Sequence, residues 1–281
     1  MRRLFALTAI TAVLAAMLTV VAPATPSDAA GDRVRIRLHA AVKKLPVRAE
    51  TPRGYERDKF GSGWGDANSD CQDTRSEVLR SESKRSTTGR CTVRRGKWFS
   101  YYDRKTWRRA ADVDIDHLVA LKEAWDSGAK RWNRATRIRY ANDLAEGRTL
   151  IAVTDNVNQS KGAQDPTTWM PQHGKCRYVR EWVAVKIRWS LRVNRGEKRA
   201  LRGLADDCGN KVIRVRKATI RRGSAGGGSG GGGSGGGGGT DPRFDFCYQA
   251  IDAGYGPYYR GQDEEYSWYT DSDSDGVVCE T

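Results

Sequence analysis

"DVDIDHLVALKEAW" (residues 112–125) sets three aspartates and one of the chain's three histidines inside a largely apolar run. Its first half alternates polar and apolar residues, the period of a half-buried strand. The alternation then fades, and Lys122–Trp125 is expected to begin a helix. Successive strand residues point to opposite sides of a sheet, so Asp116 and His117 share one site only if the backbone turns or bulges between them.

Working outward, "TLIAV" (149–153) reads as a second strand and "NVNQSKG" (156–162) as the turn that follows it. Phosphodiester hydrolysis needs an attacking water, neutralisation of charge on the phosphorane, and help for the leaving oxygen. One divalent cation can supply the last two when a base supplies the first. Imidazole titrates near neutrality and suits the base; a hard ion such as Mg²⁺ takes a few oxygen ligands and keeps several waters. Asp116 and His117 offer a carboxylate and a base, Asn158 an amide oxygen, and Lys161 a cation for the phosphate. The bland counterparts are a core histidine satisfied by hydrogen bonds and a solvated turn lysine. Asp112 and Asp114 are expected to orient neighbours or face solvent, and His39 and His173 to lie on the surface.

Elsewhere, residues 31–110 are loop-rich, with one short helix near Thr74–Leu79. Lys130–Leu144 looks helical and basic, placing Lys130, Arg134 and Arg137 at i, i+4 and i+7. Like charges at that spacing repel unless a polyanion covers them; the alternative is a solvated face. A longer helix from Cys176 to about Val193 carries Val179, Val183, Ile187 and Leu191 every four residues, a core stripe.

"DVDIDHLVALKEAW", "YANDL", "LIAVTDNVNQSKGAQDPTTWMP" and "CRYVREWVAVKIRW" closely resemble secreted bacterial HNH endonucleases of the GmrSD-like group, which use the ββα-metal fold. The likeness extends upstream through "YERDKFGSGWGD", "CQDTRSEVLR" and "CTVRRGKWFSYYD" and spans roughly residues 50–205. It implies Asp116 and Asn158 as ligands of a divalent metal (Mg²⁺ or Mn²⁺), His117 as general base, Lys161 as the lysine of the final N-x-x-K element, and Asn142 as a characteristic residue of structural role. Asn156 competes with Asn158, and the N-x-x-K register favours the latter. Many relatives carry asparagine where this chain has Thr149, a position that braces the loop.

The ends differ from the middle. Arg2 and Arg3, an apolar stretch from Leu4 to Ala22 and small residues after it form the pattern of a secretory signal over residues 1–30, cut after Ala24 or Ala29; a membrane anchor is the rival. Six cysteines suit an exported chain, and neighbour pairing gives Cys71–Cys91, Cys176–Cys208 and Cys247–Cys279 among 15 formal connectivities. The absence of C-x-x-C argues against a zinc cluster or thioredoxin-like site. "GSAGGGSGGGGSGGGGG" (223–239) is a flexible tether, natural or engineered, spanning roughly 20–25 Å end to end. The net charge is +15, yet residues 240–281 hold ten acidic and two basic side chains, a net −8 that leaves +23 for residues 1–239. The large part is built to meet a polyanion, the small part to hold cations.

In "DSDSDGVVCE" (271–280), Asp271, Asp273 and Asp275 alternate before Gly276, as at the start of a calcium loop, with Glu280 as a further oxygen donor. An acidic solvated tail is the alternative. With "FCYQAIDAGYGPYYRGQDEEYSWY" upstream, the segment resembles the Excalibur-type extracellular calcium-binding region, which implies a Cys247–Cys279 clamp around a small aromatic core. The expectation is an α+β chain: an HNH ββα-metal nuclease domain over 31–222 (core about 112–193) with added helices, and a small disulfide-stapled calcium-binding module over 240–281. It would act outside the cell as a monomer on DNA, and on RNA as a second substrate, with little sequence specificity and without stable membrane insertion. Cell-surface association would follow from the calcium module. The alternative is a non-catalytic cationic envelope protein that binds nucleic acid or an anionic polymer and attaches through calcium.

Overall fold

The computed structural model describes residues 32–223, 243, 244, 247, 250, 258–261, 263–271 and 276–279. The expected signal segment, nearly all of the linker, and Asp273, Asp275 and Glu280 lie outside the described residues.

The strands expected at 113–121 and 149–153 form an antiparallel hairpin, β4 (Val113–His117) and β5 (Leu150–Thr154), with Asp116 opposite Ile151 and His117 opposite Leu150. The register runs without a bulge, so Asp116 and His117 do point to opposite faces. Val113 and Ile115 are buried against Val78, Leu79 and Trp98. A helix, α3 (Leu121–Asp126), follows β4 as expected. The segment read as a turn after β5 is instead a two-turn helix, α5 (Asp155–Lys161). Nothing between Asp155 and Lys161 breaks a helix, Asp155 favours the positive end of its dipole, and Gly162 ends it at φ 53°, a conformation glycine adopts without steric cost.

Two expectations of helix extent need correcting. The long helix α6 covers Lys175–Arg188 and stops well short of Val193. Ser190 takes a left-handed φ of 50°, and Leu191 and Val193 reach the core from the loop beyond. The basic helix α4 covers only Arg134–Ala141, while Lys130 sits in a separate 3₁₀ turn, Ala129–Arg131. Lys130 therefore shares no helical face with Arg134 and Arg137. Arg137 bonds the carbonyls of Lys59 and Trp132, and Lys130 that of Arg53.

The region before residue 110 is more regular than its composition suggests. It holds β1 (Arg33–Arg37), α1 (Leu38–Lys44), α2 (Thr74–Glu82), β2 (Arg95–Phe99) and β3 (Thr106–Arg109). α2 carries the helix expected near Thr74, its N-terminus capped by Asp73. β2 pairs with β3, and β1 with β6 (Val212–Arg216) at the far end of the domain.

One core cluster gathers around α6, with Tyr178, Val179, Trp182 and Val183 fully buried. α7 (Arg195–Asp206) packs on it through Leu201 and Ala205. Lys186 is wholly buried and donates to Glu123, Ser127 and Glu197, tying α3, α6 and α7 through one polar knot. The carboxylates of Glu50, Glu123 and Asp165 approach one another within 4.8 Å, but Lys186 and the Asn194 amide already donate into them.

All three disulfides close in the neighbour pairing. In the C-terminal part, β7 (Tyr258–Tyr259) pairs with β8 (Val277–Val278), and Ala250, Tyr258 and Val278 are buried beside the Cys247–Cys279 bridge. No described helix is long and apolar enough to cross a membrane.

Candidate active site

His117 closes β4 with its ring stacked on Trp64, 5.1 Å between centroids at 7°, and facing Tyr140 on the other side at 6.3 Å. Its Nε2 lies 2.9 Å from the Ala141 carbonyl oxygen. A carbonyl can only accept, so Nε2 carries the proton and Nδ1 keeps its lone pair. Burial pushes the imidazole pKa down to about 3, against the pull of the Ala141 carbonyl and with help from Arg57 and Lys161. The ring is neutral at working pH, fixed in orientation and in tautomer.

Asp116 is 3% exposed and accepts from two donors. Lys161 Nζ lies 2.7 Å from Oδ1, and Tyr102 Oη 2.6 Å from Oδ2. Burial raises the Asp116 pKa, opposed by Lys161 and by Tyr102. Asn158, on α5, donates from Nδ2 to Asp114 Oδ2 at 3.1 Å. A carboxylate only accepts, which identifies the facing atom as nitrogen and leaves the amide oxygen, Oδ1, for another partner.

Asp116, His117 and Asn158 border one cleft of about 280 Å³, together with Tyr55, Arg57 and Lys122. No bulge was needed to bring the first two together. A two-stranded sheet has an open edge at β4, so residues of both faces reach a cleft that runs past the strand's end. A carboxylate has about four lone-pair sites, and two donors occupy two of those on Asp116. That carboxylate and the Asn158 amide oxygen are the hard-oxygen donors on the cleft that could hold a divalent cation.

Lys161 stands elsewhere than expected. It is completely buried, and its ammonium is spent on Asp116 and on the His117 carbonyl at 3.0 Å. Arg57 is an exposed cation on the cleft, and Lys122 beside it is paired with Asp126. Asn142 joins two segments: its Oδ1 accepts from Gly65 N at 2.8 Å and its Nδ2 donates to the Ile138 carbonyl. The loop that carries Trp64 is thereby held against His117. Thr149 donates to Asp143 at 2.8 Å, and its own amide bonds the Glu146 carbonyl. Thr149 thus braces the loop through both its hydroxyl and its amide. Among the residues the sequence left unused, Tyr102, Trp64 and Arg57 lie in "WFSYYD", "GSGWGD" and "YERDKF". Each stretch stood out, but nothing local connects it to the aspartate–histidine pair.

In the C-terminal part, Asp271 Oδ2 accepts from Tyr266 Oη at 2.6 Å, Arg260 at 2.8 Å and Gly276 N at 3.0 Å.

Residues 69–204 match the family model for the C-terminal domain of GmrSD restriction endonucleases, and residues 244–280 match the Excalibur calcium-binding domain. These matches define the class: a nuclease-related domain joined to a calcium-binding one. The chain is also 46% identical over 168 residues to an uncharacterized secreted protein of Arthroderma benhamiae, an alignment covering 58% of this chain and 81% of the relative. It belongs to the same family as that protein, a fungal one, and the expected bacterial origin is not shown. No solved structure matches. Closed disulfides, the Excalibur domain and a secreted relative fit an extracellular location.

Proposed function

We propose that this protein is a metal-dependent HNH-type endonuclease that hydrolyses phosphodiester bonds of DNA, and of RNA as a second substrate, with little sequence preference. One observation carries it: a neutral imidazole, locked in its Nε2–H tautomer between two rings, borders the same cleft as a buried carboxylate and an amide oxygen. Asp116 and Asn158 would hold one divalent cation, which supplies neutralisation of the phosphorane and of the leaving oxygen. His117 Nδ1 takes the proton from the attacking water; because the ring is neutral beforehand, no deprotonation step precedes the chemistry. Trp64, Tyr140 and Ala141 hold the ring in place, so little reorientation is needed. Arg57 binds the phosphate, and Lys161 and Tyr102 position Asp116.

The C-terminal module, built on Asp271, Asp273, Asp275 and Glu280, would bind calcium at the affinity typical of extracellular modules, Kd of order 10⁻⁴–10⁻³ M. Plasmid incubated with the protein should be nicked with Mg²⁺ or Mn²⁺ and left intact with chelator. His117→Ala should abolish nicking while duplex affinity in EDTA persists. A salt-sensitive gel shift without metal-dependent nicking by the wild type would instead favour a cationic binding protein.

A further inference from the structure

The sheet formed by β1 and β6 has one face in the core and the other in solvent. Val34, Ile36, Ile213 and Val215 pack inward, while Arg33, Arg35, Arg37, Arg214 and Arg216 are all exposed. The register sets Arg33 opposite Arg216 and Arg35 opposite Arg214. Like charges directly opposite each other across a strand pair destabilise the sheet. Among the described residues, none of these four guanidinium groups has a carboxylate partner. A groove of about 520 Å³ follows this face, and its one carboxylate, Glu146, is already gripped by Arg148 at 2.6 and 2.5 Å.

We propose that the Arg33, Arg35, Arg214 and Arg216 ladder is a second binding surface, which grips the phosphodiester backbone of a nucleic acid away from the cleft of His117. None of the four lines that cleft. Same-face residues on a strand stand about 6.8 Å apart and neighbouring strands about 4.8 Å, so no single small anion reaches all four, whereas a polymer with a phosphate on every unit can. Every cation of the ladder is arginine, whose planar fork pairs with phosphate oxygens two at a time. The occupied ladder loses its internal repulsion, and a nuclease without sequence readout acquires affinity from backbone contacts alone. The surface deepens the nuclease proposal and rests on it for the identity of the substrate.

The test uses the full chain with all four arginines changed to glutamine (R33Q, R35Q, R214Q, R216Q) and, separately, to lysine. Binding of a fluorescein-labelled duplex is followed by anisotropy in EDTA between about 50 and 200 mM salt. Hydrolysis of bis(p-nitrophenyl) phosphate with Mn²⁺ is measured in parallel. The glutamine variant should bind at least about tenfold more weakly, with the slope of log affinity against log salt reduced by roughly 3–4, about 0.9 per lost phosphate contact. The lysine variant should keep most of the slope. Small-substrate hydrolysis should be unchanged in both, and the melting temperature of the glutamine variant should be no lower than that of wild type. Unchanged affinity and slope in the glutamine variant would overturn the proposal. So would a larger loss for polyglutamate than for duplex, which would assign the ladder to carboxylate polymers, this chain's own acidic segment among them. If wild type binds duplex but shows no metal-dependent hydrolysis, the catalytic proposal fails while the ladder is still read from the binding arm.

Discussion

Lys161 Nζ sits 2.7 Å from Asp116 Oδ1, the lysine fully buried and the carboxylate nearly so at the wall of the cleft. A buried carboxylate without a cation costs several kcal/mol in desolvation, and breaking such a pair on one side is correspondingly expensive. Lys161 therefore opposes the upward pull of burial on the Asp116 pKa and holds the carboxylate in place, while Arg57 borders the cleft.

Lys161→Met should accordingly destabilise the fold by about 3–5 kcal/mol, read as a fall in urea midpoint. Arg57→Gln should leave the midpoint alone and raise KM for duplex. A Lys161→Met protein of wild-type stability that lacked only activity would restore the phosphate-binding role to Lys161.

Asn142 holds Gly65, and Gly65 follows the Trp64 that stacks on His117. Asn142→Ala removes the acceptor of one bond and the donor of another, a stability loss of about 1–3 kcal/mol. The expected kinetic signature is a kcat reduced by about tenfold with KM nearly constant, since the imidazole loses its stacking partner and no substrate contact. A change confined to KM would show that the loop serves substrate binding instead.

Gly174 precedes α6 at φ 64°, and a β-carbon there would lie 2.5 Å from the Tyr101 ring. Gly174→Ala should cost about 1–3 kcal/mol from left-handed strain alone, with more from the collision. Tyr101 adjoins Tyr102, the donor to Asp116 Oδ2, so the displacement should also lower metal-dependent activity. Calorimetry and a nicking assay on one preparation would separate the two effects.

Glu82 accepts a bond from Ala152 N on β5 at 3.2 Å, and burial raises its pKa to about 7, against the pull of that amide and of Arg177. The unfolded chain ionises this group near 4.5. At lower pH both states are protonated and the group is neutral in its effect. As pH climbs from there to 7, the unfolded state releases its proton first, and folding stability is lost by up to roughly 3 kcal/mol. Glu82→Gln keeps an acceptor for Ala152 and carries no charge. Its stability should match wild type near pH 4 and exceed it above pH 7. Parallel curves across that range would refute the shift.

The α+β character, both hairpin strands and the helices α2 and α3 were readable one segment at a time, because alternation and the shift of period are local; neighbour pairing of the cysteines was one of 15 connectivities until the fold closed it. The calcium-binding and nuclease-related regions were readable as motifs. The β1–β6 pairing left a trace in the alternation of "RVRIR" and "VIRVR", but with the two runs at opposite ends of the domain nothing in either named its mate.

What the chain determined alone is which groups could do chemistry: an imidazole after an aspartate, an amide and a lysine three residues apart, and cysteines in an even count. What only the folded state decided is where each would stand. Tyr102, Trp64, Arg57 and Lys161 acquire their roles by meeting distant residues in a low-dielectric interior, where a charge must find a partner or raise the energy of the fold. That requirement acts on three-dimensional neighbours, and it turned an expected phosphate ligand into the buried counterion of Asp116.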